Sequence, residues 1–158
     1  MSHSGFAPHD HSHCIADTMA AAEAHCAREK LQFTKVRRRV LEILLSEHKA
    51  LGAYQILEKL GAEGLGSQPP VAYRALDFLG RIGFVHKIEK LNAYVACSQP
   101  GDAHAPAFMI CRLCDSVAEA AESPNDGSLA HAAQTAGFTI EKTVVEAEGV
   151  CPDCRTRG

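Results

Sequence analysis

No stretch of this chain stays apolar long enough to span a bilayer, so a membrane-spanning helix is excluded. The first residues, MSHSGFAPHDHSHC, lack the basic start and apolar centre of a secretory signal. The cytoplasm is therefore the expected compartment. Seven cysteines in a reducing compartment are expected to ligate metal rather than pair as disulfides, and their odd number points the same way. Lys and Arg are missing from residues 1–26, where three acids leave a net charge of −3. Residues 27–96 then hold twelve Lys and Arg against seven Asp and Glu, a net +5, and residues 97–158 hold four against nine, a net −5. A basic middle beside an acidic end is the charge layout of a nucleic-acid reader joined to a domain that does not touch the nucleic acid. With 158 residues, 46% of them hydrophobic, the chain has room for one domain or two small ones.

In the basic segment the apolar spacing predicts helices. Ile15 to Leu31 is Ala-rich, with Ile15, Met19, Ala22 and Cys26 near one face. Thr34 is placed to cap a second helix, Lys35 to Glu47, whose core stripe is Val36, Val40, Ile43 and Leu44. Arg37, Arg38 and Arg39 take successive positions around that helix and cannot all face one partner, so at least one is expected to be solvated. Gly52-Ala53 starts a third helix, Tyr54 to Leu60, ended by Gly61 and Gly64. The pair Pro69-Pro70 announces a fourth, Val71 to Leu79, with Val71, Leu76 and Leu79 toward the core. Val85 to Glu89 and Ala93 to Val95, around Leu91-Asn92, read as a hairpin. Helices followed by a two-stranded hairpin make the winged helix-turn-helix layout, in which the helix after the turn enters the major groove. Here that helix carries Tyr73 and Arg74 near its start.

The acidic segment has another pattern. Ala107 to Cys111 and Val117 to Ala121 are expected strands, Asn125 to Ala136 a helix capped by Asn125 or Asp126, and Phe138 to Glu148 a long alternating strand. An α/β unit of that size is too small to be stable unaided, so a structural metal or a partner subunit is expected. Cys111-x2-Cys114 and Cys151-x2-Cys154, with 36 residues between the pairs, offer the four thiolates that structural zinc takes. An iron–sulfur cluster or a thioredoxin-like pair is the alternative, although no strand–helix redox context surrounds either knuckle. Between the segments lie His86, Cys97, His104 and an acid beyond the Pro100-Gly101 break, with Glu119 the best placed. Two imidazoles, one thiolate and one carboxylate suit tetrahedral Zn2+, whereas Fe2+ or Mn2+ would favour a set without the thiolate. The histidines at 3, 9, 11 and 13 with Cys14 suggest at most a loose metal affinity in a solvated tail.

These motifs in order resemble the ferric uptake regulator family. They are Pro69-Pro-Val-Ala-Tyr-Arg-Ala-Leu-Asp-Phe-Leu79, Gly83-Phe-Val-His-Lys87, Tyr94-Val-Ala-Cys97 and Phe108-Met-Ile-Cys-Arg-Leu-Cys114. The resemblance covers about residues 20–154 and is strongest to the zinc uptake regulator branch. It implies an α+β protein: a tail (1–14), a winged-helix DNA-binding domain (15–97), a hinge (98–106) and a small α/β dimerisation domain (107–158). It further implies a zinc-responsive repressor of zinc-uptake genes that binds operator double-stranded DNA as a homodimer, is not an enzyme, and holds two Zn2+ per chain. The structural ion would sit on Cys111, Cys114, Cys151 and Cys154, the regulatory ion on His86, Cys97, His104 and Glu119. Tyr54, Tyr73 and Arg74 match the family's DNA-contacting positions. An iron- or manganese-responsive regulator of the same family is the alternative, disfavoured by the single histidine in Gly101-Asp-Ala-His-Ala-Pro106. A zinc enzyme with Glu119 as base, or a zinc buffer, would leave the basic helices unexplained. Val71-Ala72 stands where the family commonly has Thr-Val, and Thr34-Lys-Val-Arg37 where it has Thr-Pro-Gln-Arg, so the operator sequence is open.

Overall fold

A computed structural model describes residues 11–47, 49–97, 107–120, 127–141 and 143–157. These fall into two compact units, one within Pro8–Asp102 and one within Ala103–Gly158. The expected hinge, 98–106, lies outside the described residues.

The first unit opens with α1 (His11–Arg28), which starts within the expected tail. No Gly or Pro interrupts the run from His11 to Arg28, so nothing local stops the Ala-rich helix from extending to His11. Residues 1–10 lie outside the described part. Lys30 ends the helix in the left-handed region (φ 56°), and the Leu31 amide closes back on the Cys26 carbonyl at 2.8 Å. The second helix, α2 (Lys35–Ser46), is capped as expected: the Arg37 amide donates to Thr34 Oγ1 at 3.2 Å. Gly52 precedes α3 (Ala53–Ala62), and its amide donates to Gln55 Oε1 at 2.8 Å. This helix runs through Gly61 and stops beyond it; Gly64 takes the left-handed turn (φ 74°) and Leu65 N–H closes on the Leu60 carbonyl. The fourth helix, α4 (Pro69–Arg81), begins on the two prolines, whose missing N–H groups would be unsatisfied at a helix start anyway.

These helices share one core. Ala22 and Cys26 of α1, Val40, Leu41, Ile43 and Leu44 of α2, Ile56 and Leu60 of α3, and Ala72, Ala75, Leu76, Phe78 and Leu79 of α4 are buried together. Cys26 is a packing residue, and burial raises its thiol pKa. The hairpin follows, β1 (Val85–Ile88) antiparallel to β2 (Ala93–Ala96), turning at Asn92 in the left-handed region (φ 48°). Leu51 and Tyr94 exchange backbone hydrogen bonds at 3.0 and 2.8 Å, which fasten the hairpin to the segment that starts α3.

In the second unit, β3 (Ala107–Cys111) is the central strand of a three-stranded sheet. It pairs antiparallel with β4 (Val117–Glu119) and parallel with β5 (Val145–Gly149). The long strand expected over 138–148 is shorter than its alternation suggested. The register runs from Ala107↔Val145 to Cys111↔Gly149, so among the described residues β3 pairs with the chain from Val145 onward. The helix α5 (Ser128–Ala136) has Gly127 at its N-cap (φ 81°) rather than residue 125 or 126, which lie outside the described residues. It ends on Gly137, also left-handed. A last helix, α6 (Pro152–Arg157), was not expected from the apolar pattern, because it buries nothing. Among the described residues, no helix is long and apolar enough to cross a membrane.

Candidate metal centre and nucleic-acid face

The end of β3 brings Cys111 to the centre of the second unit, and the turn after it carries Cys114. The parallel pairing with β5 returns the chain beside this turn, so that Cys151 and Cys154 arrive at the same place. The four sulfurs lie within 4.8 Å of one another, with Cys114 Sγ and Cys151 Sγ at 3.8 Å. A tetrahedral zinc with bonds of about 2.3 Å sets its sulfurs ~3.8 Å apart. All four are free thiols. Cys111 and Cys151 are buried; Cys114 and Cys154 are partly so.

Their electrostatics also ask for a cation. The Cys151 amide donates to Cys111 Sγ at 3.3 Å and is the main cause that lowers the Cys111 pKa to about 6. Cys114 shares a hydrogen bond with Ser116 Oγ at 2.9 Å, and this bond is the first cause of its lowered pKa. Cys154 is pushed up to about 12, chiefly by its hydrogen bond with Cys151. Thiols this close cannot all ionise beside one another; a bound dication removes the conflict by taking all four as thiolates. The residues therefore fit structural zinc. Ser116 was not anticipated from the sequence; its only signal there is its place two residues after the knuckle.

In the first unit, the hairpin carries the second set of candidate ligands. His86 lies on β1 opposite Val95, and Cys97 follows β2, its amide donating to the Phe84 carbonyl at 2.9 Å. A ring nitrogen of His86 and Cys97 Sγ lie within 4.8 Å of each other, with Cys97 and the His86 Nε2 atom buried. One imidazole and one thiolate converging at the foot of a hairpin make half of a mixed zinc set. Glu119, at the end of β4 in the second unit, is half-buried. His104 lies outside the described residues.

The DNA-contacting candidates occupy the exposed sides of α3 and α4. Tyr54 is 72% and Tyr73 40% exposed, and Arg74 is exposed. Among the described residues, neither an ion pair nor a side-chain hydrogen bond occupies Arg74. The arginines of α2 behave differently. Arg37 lies over the Phe78 ring, Arg38 pairs with Glu23, and Arg39 bonds Glu63 at 2.7 Å. All three have a partner inside the unit, and Arg38 and Arg39 keep 39% and 35% of their side chains in solvent, in line with the expectation that at least one is solvated.

A model of the ferric uptake regulator family matches residues 28–148. The chain is 36% identical over 141 residues to the zinc uptake regulation protein of Escherichia coli (strain K12), spanning 87% of this chain and 81% of that protein. A solved zinc uptake regulator complexed with zinc and DNA superposes with a TM-score of 0.86 at 34% identity, covering 90% of this chain and 96% of that one. Holo XcZur follows with 0.79 at 34% identity, covering 89% and 98%.

Proposed function

The chain belongs to the ferric uptake regulator family, and from that premise we propose that it is a zinc-responsive transcriptional repressor. It acts in the cytoplasm as a homodimer on operator double-stranded DNA and controls genes of zinc uptake; it is a regulator rather than an enzyme. The observation that carries this reading is that one unit holds both an exposed Arg74 on α4 and a His86–Cys97 pair at the foot of its hairpin. DNA contact and metal ligation thus belong to one packed body.

Two Zn2+ per chain follow. The structural ion takes Cys111, Cys114, Cys151 and Cys154 and supplies the folding free energy that the second unit's thin core lacks. The regulatory ion takes His86 and Cys97 from the winged-helix unit, His104 from the hinge and Glu119 from the dimerisation domain. Held by ligands from both domains, a zinc would restrain each reader against its twin, so that the two α4 helices could meet major grooves about 34 Å apart. Zinc therefore binds the DNA-competent arrangement more tightly, and operator DNA must tighten zinc binding by the same factor. On the DNA, Arg74 can fork onto guanine O6 and N7, with Tyr73 and Tyr54 against the thymine methyl or the backbone.

A gel shift with promoter fragments of zinc-uptake genes tests this. Zn2+ should produce a retarded complex that a chelator abolishes, whereas Fe2+ or Mn2+ at the same free concentration should not. Equal response to all three metals would transfer the protein to another branch. No metal-dependent complex with any such fragment would overturn the reading.

A further inference from the structure

The three consecutive arginines of α2 sit about 100° apart around the helix, and each reaches a different neighbour. Arg39 bonds Glu63 just beyond α3 and approaches Glu42 at 3.7 Å. Arg38 pairs with Glu23 of α1 and lies over the Phe33 ring at 4.8 Å. Arg37 is directed at α4. Its guanidinium lies 3.7 Å from the centroid of Phe78, and its Nη1 donates to the Gln32 carbonyl. Exposed ion pairs such as the first two contribute little. The contact of Arg37 is of another kind, because Phe78 is buried and the guanidinium meets its ring face.

Phe78 stands four residues after Arg74, one turn further along α4. A ring pinned under a guanidinium, itself tied to the chain ahead of α2, fixes the roll of α4 about its axis. The direction of Arg74 follows from that roll. We propose that Arg37 is a positioning residue for DNA recognition: it holds α4 through Phe78 and makes no DNA contact of its own. This rests on the reading of α4 as the DNA-contacting helix.

The test uses the zinc-loaded full chain and a duplex that the wild-type protein selects from a random pool in the presence of Zn2+, with a scrambled duplex as reference. Arg37→Met and Phe78→Leu should each lower affinity for the selected duplex about tenfold while leaving the scrambled duplex within about twofold. The double variant should lose no more than either single one. Arg37→Lys keeps the charge but not the planar stack and should also lose affinity. The slope of log affinity against log salt should stay as in wild type. A direct phosphate contact predicts otherwise: a slope shallower by about 0.9, equal losses on both duplexes, and rescue by lysine; that pattern would overturn the proposal. So would wild-type affinity in Phe78→Leu, whose apolar side chain preserves the core even where Arg37→Met folds poorly. Arg74→Ala is the control: if the selected duplex is bound equally well without Arg74, or no duplex is selected, the assignment of α4 fails rather than the role of Arg37.

Discussion

In the winged-helix unit, Leu41, Ile56, Leu60, Leu76 and Leu79 are sealed from solvent, and every helix contributes to one core. In the second unit, α5 and α6 bury no residue, while Leu113, Leu129 and Phe138 stand more than half exposed. Among the described residues, what is buried there, Ala107, Phe108, Ile110, Ala118 and two of the cysteines, lies on the sheet and around the four sulfurs. The contrast separates two ways of holding a small fold. Each buried Leu or Ile contributes roughly 1.5–3 kcal/mol by leaving water, so the first unit sums many such terms. On the proposed reading the second substitutes a metal-binding free energy of order 10 kcal/mol and leaves apolar side chains for a partner subunit to cover.

The comparison is broken most directly at the sulfurs. Cys111→Ser, or stripping the metal with a strong chelator, should cost on the order of 10 kcal/mol in the second unit and abolish dimerisation. The helical unit should keep its own unfolding transition. Circular dichroism with zinc analysis and size-exclusion chromatography reads all of this, and a well-folded zinc-free dimer would refute it. The converse change is Ile56→Ala, which opens a cavity in the helical core. It should cost about 2–5 kcal/mol there and leave the tightly held zinc per chain unchanged. Loss of that zinc in Ile56→Ala would mean the units are not separately stabilised.

Smaller effects sharpen the functional division. His86→Ala and Cys97→Ala should each give a folded dimer that keeps one zinc per chain but loses zinc-stimulated DNA binding, a coupling of about 1–3 kcal/mol. A normal zinc response in Cys97→Ala would place the regulatory site elsewhere, and removal of residues 1–14 would then test the histidine-rich tail. Arg74→Ala should cost about 1–3 kcal/mol on the operator and relax base preference at one position. An equal loss on every sequence would make Arg74 a phosphate contact. The smallest change is expected from Glu119→Ala: weaker zinc affinity, with repression restored at higher zinc. A complete loss there would show the carboxylate to be as necessary as the thiolate.

Much of this was legible in the chain because the signals are local. Thr34 before Lys35, Gly52 before Ala53 and Pro69-Pro70 mark helix starts through groups only a few residues apart, and each start was placed to within two residues. The two C-x2-C knuckles likewise carry their chemistry in their own spacing. The expectations that failed concern distant partners. Alternation over 138–148 could not reveal that, among the described residues, pairing with β3 starts at Val145, nor that this pairing would be parallel. A triple arginine could not disclose that its members reach α4, α1 and the end of α3.

The sequence by itself determined which residue types are available to zinc and DNA, and where α2, α3 and α4 begin. Those properties rest on backbone capping and ligand chemistry over a few residues. Only the tertiary structure decided that β5 carries Cys151 back beside Cys111, that Ser116 supports Cys114, and that Arg37 meets the ring of Phe78. Each joins groups whose approach depends on how sheet register and helix packing resolve. Many registers satisfy the same apolar pattern; the one adopted brings four sulfurs within reach of a single ion.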